Sequence, residues 1–106
     1  MYIMSVLAVN KEQVVSTFSQ ISLSSAQSAY ASADHELNSA WKELPDSARN
    51  SMKKEQIAWV NSKVTKCGKI SDAKSEEVNV QQRINIYQCQ TKMTNERISY
   101  LNGNDD

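Results

Sequence analysis

Only three residues in this 106-residue chain interrupt a backbone pattern by their own chemistry: Pro45, Gly68 and Gly103. A sheet protein turns its chain back every roughly 8–12 residues and needs Gly, Pro, Asn or Asp clusters at those turns. Three breakers leave long uninterrupted stretches, and Ala, Ser, Gln, Lys, Glu and Asn fill them. The chain therefore reads as all-α, a small antiparallel helical bundle with few connections. Its length suits one domain. A domain of this size buries roughly 60–70% of its unfolded surface, so a single crosslink adds noticeably to its stability.

Apolar periodicity divides the chain into three main helices and an N-terminal segment. Ala26, Tyr30, Ala33, Leu37, Trp41 and Leu44 recur at steps of three and four, which predicts a helix over 26–44 with one buried face. Pro45 ends it, because the residue before a proline is pushed out of the α region, and opens the next helix. That helix is expected over 46–67, with Ala48, Met52, Trp59, Val60, Val64 and Cys67 inward, late lysines suited to the helix dipole, and Gly68 as its stop. Residues 70–75 read as an extended linker. A last helix is expected over 76–101, with Val78, Ile86, Cys89, Met93, Tyr100 and Leu101 inward and Gln82 and Arg97 interrupting the stripe. Residues 102–106 read as a disordered polar tail. Residues 1–25 form the N-terminal segment, read as a signal remnant, an extra helix over 5–21 (Leu7, Val14, Phe18, Ile21) or, from its β-branched content, a strand. A serine-rich connection at 21–25 would follow, Ser24 or Ser25 capping the next helix. Short connections then give a helical hairpin with a third helix laid across it and the N-terminal segment covering one side.

The two cysteines, Cys67 and Cys89, allow three readings: a disulfide, a partial metal site, or two buried thiols. A metal needs more ligands, and the lone histidine, His35, is distant in sequence. Both cysteines fall on inner stripes, and the residues between them can bend back to join them. A disulfide closing such a loop stabilises by roughly 3 kcal/mol and belongs to an oxidising compartment. We expect the bridge; two reduced core cysteines in a cytosolic protein remain the alternative.

Twelve basic residues balance twelve acidic ones. The charge is uneven: residues 42–69 carry Lys42, Arg49, Lys53, Lys54, Lys63, Lys66 and Lys69 against Glu43, Asp46 and Glu55, a net +4. The interleaved spacing reads as a solvated helix face. Zero net charge and the lack of a recognised motif argue against nucleic-acid binding. No stretch reaches the ~20 apolar residues of a membrane span. No phosphate loop, metal-ligand cluster or nucleophile elbow is present, so neither cofactor nor metal is expected and the chain reads as a binding protein, not an enzyme. Asp34, His35 and Glu36 point about 100° apart on a helix and cannot form one cluster by themselves, which leaves His35 a surface residue.

Three ordered blocks carry a resemblance. The first is Ala33-Asp34-His35-Glu36-Leu37-Asn38, followed by Trp41, Leu44 and Arg49. The second is Gln56-Ile57-Ala58-Trp59, followed by Cys67. The third is Cys89-Gln90-Thr91-Lys92-Met93-Thr94-Asn95-Glu96-Arg97 with Leu101. Over residues 26–101 the chain resembles the LprI-like lysozyme-inhibitor family, whose pattern is A-D-x-x-L-N, then Q-x-x-W and a cysteine, then C-x-x-x-x-T-x-x-R-x-x-x-L. The resemblance implies a small helical domain, periplasmic or carried on a lipoprotein, that inhibits lysozyme. The sequence departs from it in having no cysteine just before the first block and no clear signal peptide or lipobox.

The residues singled out as structural or binding candidates are Asp34, Asn38, Trp41, Arg49, Gln56, Trp59 and Arg97. Asp34 and Asn38 share a helix face, and Arg97 from the last helix is expected to meet them and the Gln56–Trp59 pair, locking three helices in register. The expected function is a periplasmic or extracellular binding protein, with a lysozyme-type muramidase as partner. The 68–75 linker and the basic helix around Lys53, Lys54 and Lys63 are the candidate contact elements. The rival reading is an immunity or adaptor module for a secreted effector or envelope complex. The sequence leaves the oligomeric state open.

Overall fold

The computed structural model describes the backbone of residues 2–103 and the side chains of residues 20–103. Met1 and 104–106, most of the expected tail, lie outside the described residues, as do the side chains of Leu7, Val14 and Phe18. Four helices follow in order: α1 (Tyr2–Glu43), α2 (Asp46–Cys67), the single turn α3 (Ile70–Ala73) and α4 (Val80–Leu101). No strand occurs among the described residues.

The expected connection at 21–25 is absent: α1 runs straight through it as one 42-residue helix. Serine lowers helix propensity by only a few tenths of a kcal/mol per residue, and with no Gly or Pro nothing stops propagation. The N-terminal segment therefore continues along the axis of α1, about 63 Å long against about 33 Å for α4, instead of folding back over the bundle. Ile21, assigned to an inner stripe, is 55% exposed. The other boundaries follow the breakers. Leu44 and Pro45 separate α1 from α2. Gly68 adopts φ +99°, a conformation suited to glycine, and its N–H bonds Val64 O at 2.8 Å to close α2.

The linker is not extended. It holds α3, whose Ala73 is fully buried, and α4 begins at Val80 instead of residue 76. Asn79 sets that start: its Oδ1 accepts from the backbone N–H of Gln81 at 2.9 Å and of Gln82 at 3.3 Å.

The helices run up, down and up, but the main packing is α1 on α4, running parallel, and not the α1–α2 hairpin. Two apolar clusters hold the ends. One joins Ala26, Ala73, Ile84, Ile86 and Tyr87; the other joins Leu37, Ala40 and Leu101, with Trp41, Met52 and Trp59 against them. Between them the inner stripe of α4 is polar: Gln90, Thr94 and Arg97 are all buried. Their spacing from Tyr87 to Leu101 is helical, so Arg97 completes the inward face instead of interrupting it.

The bridge between Cys67 and Cys89 is formed, with the two Cα atoms 5.4 Å apart. It ties the end of α2 to the middle of α4, and the Cys67 sulfur lies 3.5 Å from Met93 Sδ.

Candidate functional site

Because α1 packs on α4, α2 stands away from α1 along the middle of the hairpin. The gap is an open cleft of about 710 Å³. Leu37, Trp41, Val60, Val64 and Ile70 give it apolar walls, and Gln90 of α4 forms part of its floor. Asp34, Asn38 and Gln56 supply polar groups. Four of the seven motif candidates, Asp34, Asn38, Trp41 and Gln56, thus meet in one place. A second depression of about 470 Å³ adjoins it, lined by Arg49, Asn50, Lys53 and Ile57, and Trp41 and Gln56 line both. Arg49 pairs with Asp46 and donates to Lys42 O at 3.3 Å, which clips the start of α2 to the end of α1.

Arg97 is 7% exposed and faces α2. Its Nε–H donates to Gln56 Oε1 at 2.8 Å and its terminal nitrogens donate to the Glu55 carboxylate at 3.1 and 3.3 Å. The guanidinium lies over the Trp59 and Tyr100 rings, 5.6 and 4.6 Å from their centroids. The bond from Arg97 holds the Glu55 carboxyl below its ordinary value. The expected three-helix lock is therefore a two-helix lock between α4 and α2, with Glu55 as its carboxylate. Asp34 and Asn38 take no part, because they stand on α1 across the cleft. Tyr100, assigned to the core, is 42% exposed and covers the guanidinium from outside.

Lys63 departs most from expectation. It is not on a solvated face: it is 6% exposed and the one buried residue of α2. Its ammonium lies over the Trp59 ring at 5.0 Å and the Tyr30 ring at 5.9 Å. Burial lowers its pKa, while the nearby charge of Asp34 acts to raise it. Tyr30 is shifted upward, by burial first and by Asp34 second. The sequence did carry a signal: Lys63 follows Met52, Gln56 and Trp59 at helical steps of four, three and four.

The linker is fastened to α4 and is no free loop. Gln90 Nε2 donates to Gly68 O at 2.6 Å, and Arg83 Nε donates to Ala73 O at 2.8 Å. Lys69, Ile70 and Ser71 close one end of the cleft. His35 is exposed, as expected. No group of three metal-ligating side chains occurs among the described residues, and none of the described helices is long and apolar enough to cross a membrane.

The family model described as lysozyme inhibitor LprI matches residues 15–101. The chain belongs to the LprI family. No curated protein and no solved structure matches it. In this LprI family member the three sequence blocks divide by place. The α1 block and Gln56 line the cleft, while Trp59 and Arg97 brace α2 against α4.

Proposed function

We propose that this LprI family member is a non-catalytic protein that binds and inhibits a lysozyme-type muramidase in the periplasm or at the cell exterior. The family match over residues 15–101 carries the reading. The disulfide supports an oxidising compartment. The proposed contact surface is the α1–α2 face of the bundle formed by residues 26–101. Ile57 and Val60 are 54% and 42% exposed there, beside the basic Lys53, and apolar side chains left in solvent on a rimmed depression are typical of an interaction site. A muramidase works with a pair of acidic side chains, so a basic and amide-rich surface is complementary to the neighbourhood of its active site.

The test is inhibition of a panel of lysozymes of different types by the oxidised protein. Dose-dependent loss of cell-wall lysis with at least one type is the expected result. Folded, oxidised protein that leaves every type active would overturn the reading and favour another envelope partner.

A further inference from the structure

The lining of the cleft carries an ammonium group with no ion-pair partner among the described residues. Lys63 makes no hydrogen bond and no ion pair among the described residues, although it is more than nine-tenths buried. The stem of Lys63 is covered while its ammonium keeps access to the cleft, so the charge is held at the cleft surface without an ion-pair partner. The side chain opens on the cleft, whose lining it shares with Lys69. Two aromatic rings hold the ammonium in place without neutralising it. Asp34, on the opposite wall, is near enough to influence it but does not pair with it.

We propose that the cleft receives an acidic side chain of the protein partner, flanked by apolar residues, and that Lys63 supplies the counter-charge. The apolar walls at Leu37, Val60 and Val64 would take the flanking side chains, and the amides of Asn38 and Gln56 offer donors to the remaining carboxylate lone pairs. This inference rests on the protein-binding reading above, but not on the partner being a muramidase.

The probe is a capped tripeptide, acetyl-Leu-Glu-Leu-amide, with acetyl-Leu-Gln-Leu-amide as its uncharged twin. Each is titrated into the oxidised full chain and followed by amide NMR shifts. The glutamate peptide should bind roughly five- to tenfold more tightly than its twin, with shifts grouped at Leu37, Val60, Lys63 and Gln90. Lys63→Met should erase the preference, and Lys63→Arg should keep it. Equal binding of the two peptides, shifts centred elsewhere, or no saturable shift in the cleft overturns the proposal, and this comparison needs no variant to fold. The two readings fail separately. Equal binding of the two peptides by a protein that does inhibit lysozyme removes the acidic-group site and leaves the inhibitor. A Lys63-dependent glutamate preference in a protein that inhibits no lysozyme does the reverse.

Discussion

Arg97 on α4 bonds Gln56 on α2 across 41 residues of chain, Nε to Oε1 at 2.8 Å. The bond is charge-assisted and buried at the arginine end, and the guanidinium also packs on Trp59 and Tyr100. Arg97→Ala should destabilise the oxidised protein by about 2–3 kcal/mol, measured by urea unfolding. Glu55→Gln should cost about 1 kcal/mol or less, because the Glu55 side chain is 52% exposed. An Arg97→Ala protein of full stability that has lost its partner would move this residue from the framework to the interface.

The bridge is the other tie between α2 and α4. Cys67 and Cys89 are 22 residues apart, so replacing both by serine should lower stability by about 3 kcal/mol by the chain-entropy argument. Lysozyme inhibition should weaken with it, because α2 forms one wall of the cleft. Calorimetry of oxidised and reduced protein beside the double variant checks this.

A side chain at Gly68 would crowd Ile86. Its φ of +99° strains any other residue, and an added Cβ would stand 3.2 Å from Ile86 Cγ1. Gly68→Ala should cost about 1–3 kcal/mol, read from the unfolding midpoint. Gly103, also at positive φ, has nothing within 4 Å of an added Cβ, so Gly103→Ala carries only the backbone part of that cost and should be the milder of the two.

The charge on Lys63 makes stability depend on pH. Burial lowers its folded pKa below 10.5. Between that lowered value and 10.5 the unfolded chain binds more protons than the folded one, so this lysine makes stability rise with pH across the window. Below the window its full cost is present. Lys63→Met should therefore be more stable than the parent at neutral pH, with the gain shrinking as pH approaches 10.5. Tyr30 works in the opposite sense, since its raised pKa loses stability as pH rises through the tyrosine range. It titrates in both proteins and largely cancels in the difference. Paired unfolding curves at pH 7 and pH 10 decide the matter.

Val60, 42% exposed on the cleft rim, supports no core. Val60→Asp should change stability by no more than about 0.5 kcal/mol. It should reduce lysozyme inhibition by roughly tenfold or more, by removing apolar contact and repelling an acidic partner. Unchanged inhibition would place the contact surface elsewhere.

From the residues alone follow the helical class, the stops at Pro45 and Gly68, the inward face of α1 from Ala26 to Trp41, and the expectation of a Cys67–Cys89 bridge, with two reduced thiols as its rival. Each follows from local chemistry or period: a missing N–H, a missing Cβ, a step of 3.6, two thiols on facing stripes. The sequence misjudged 21–25, because serine content resembles a loop while costing a helix little. Which helices embrace depends on long-range packing. Polar residues at helical spacing read as interruptions until another helix covers them, so the buried stripe of Gln90, Thr94 and Arg97 was hidden, and with it the packing of α1 on α4. That choice left α2 standing off from α1. It opened the cleft, gave Arg97 the carboxylate of Glu55 in place of Asp34, and covered the Lys63 stem while leaving its ammonium without an ion pair among the described residues. Pairing between distant side chains depends on how helices dock, and no local period encodes it.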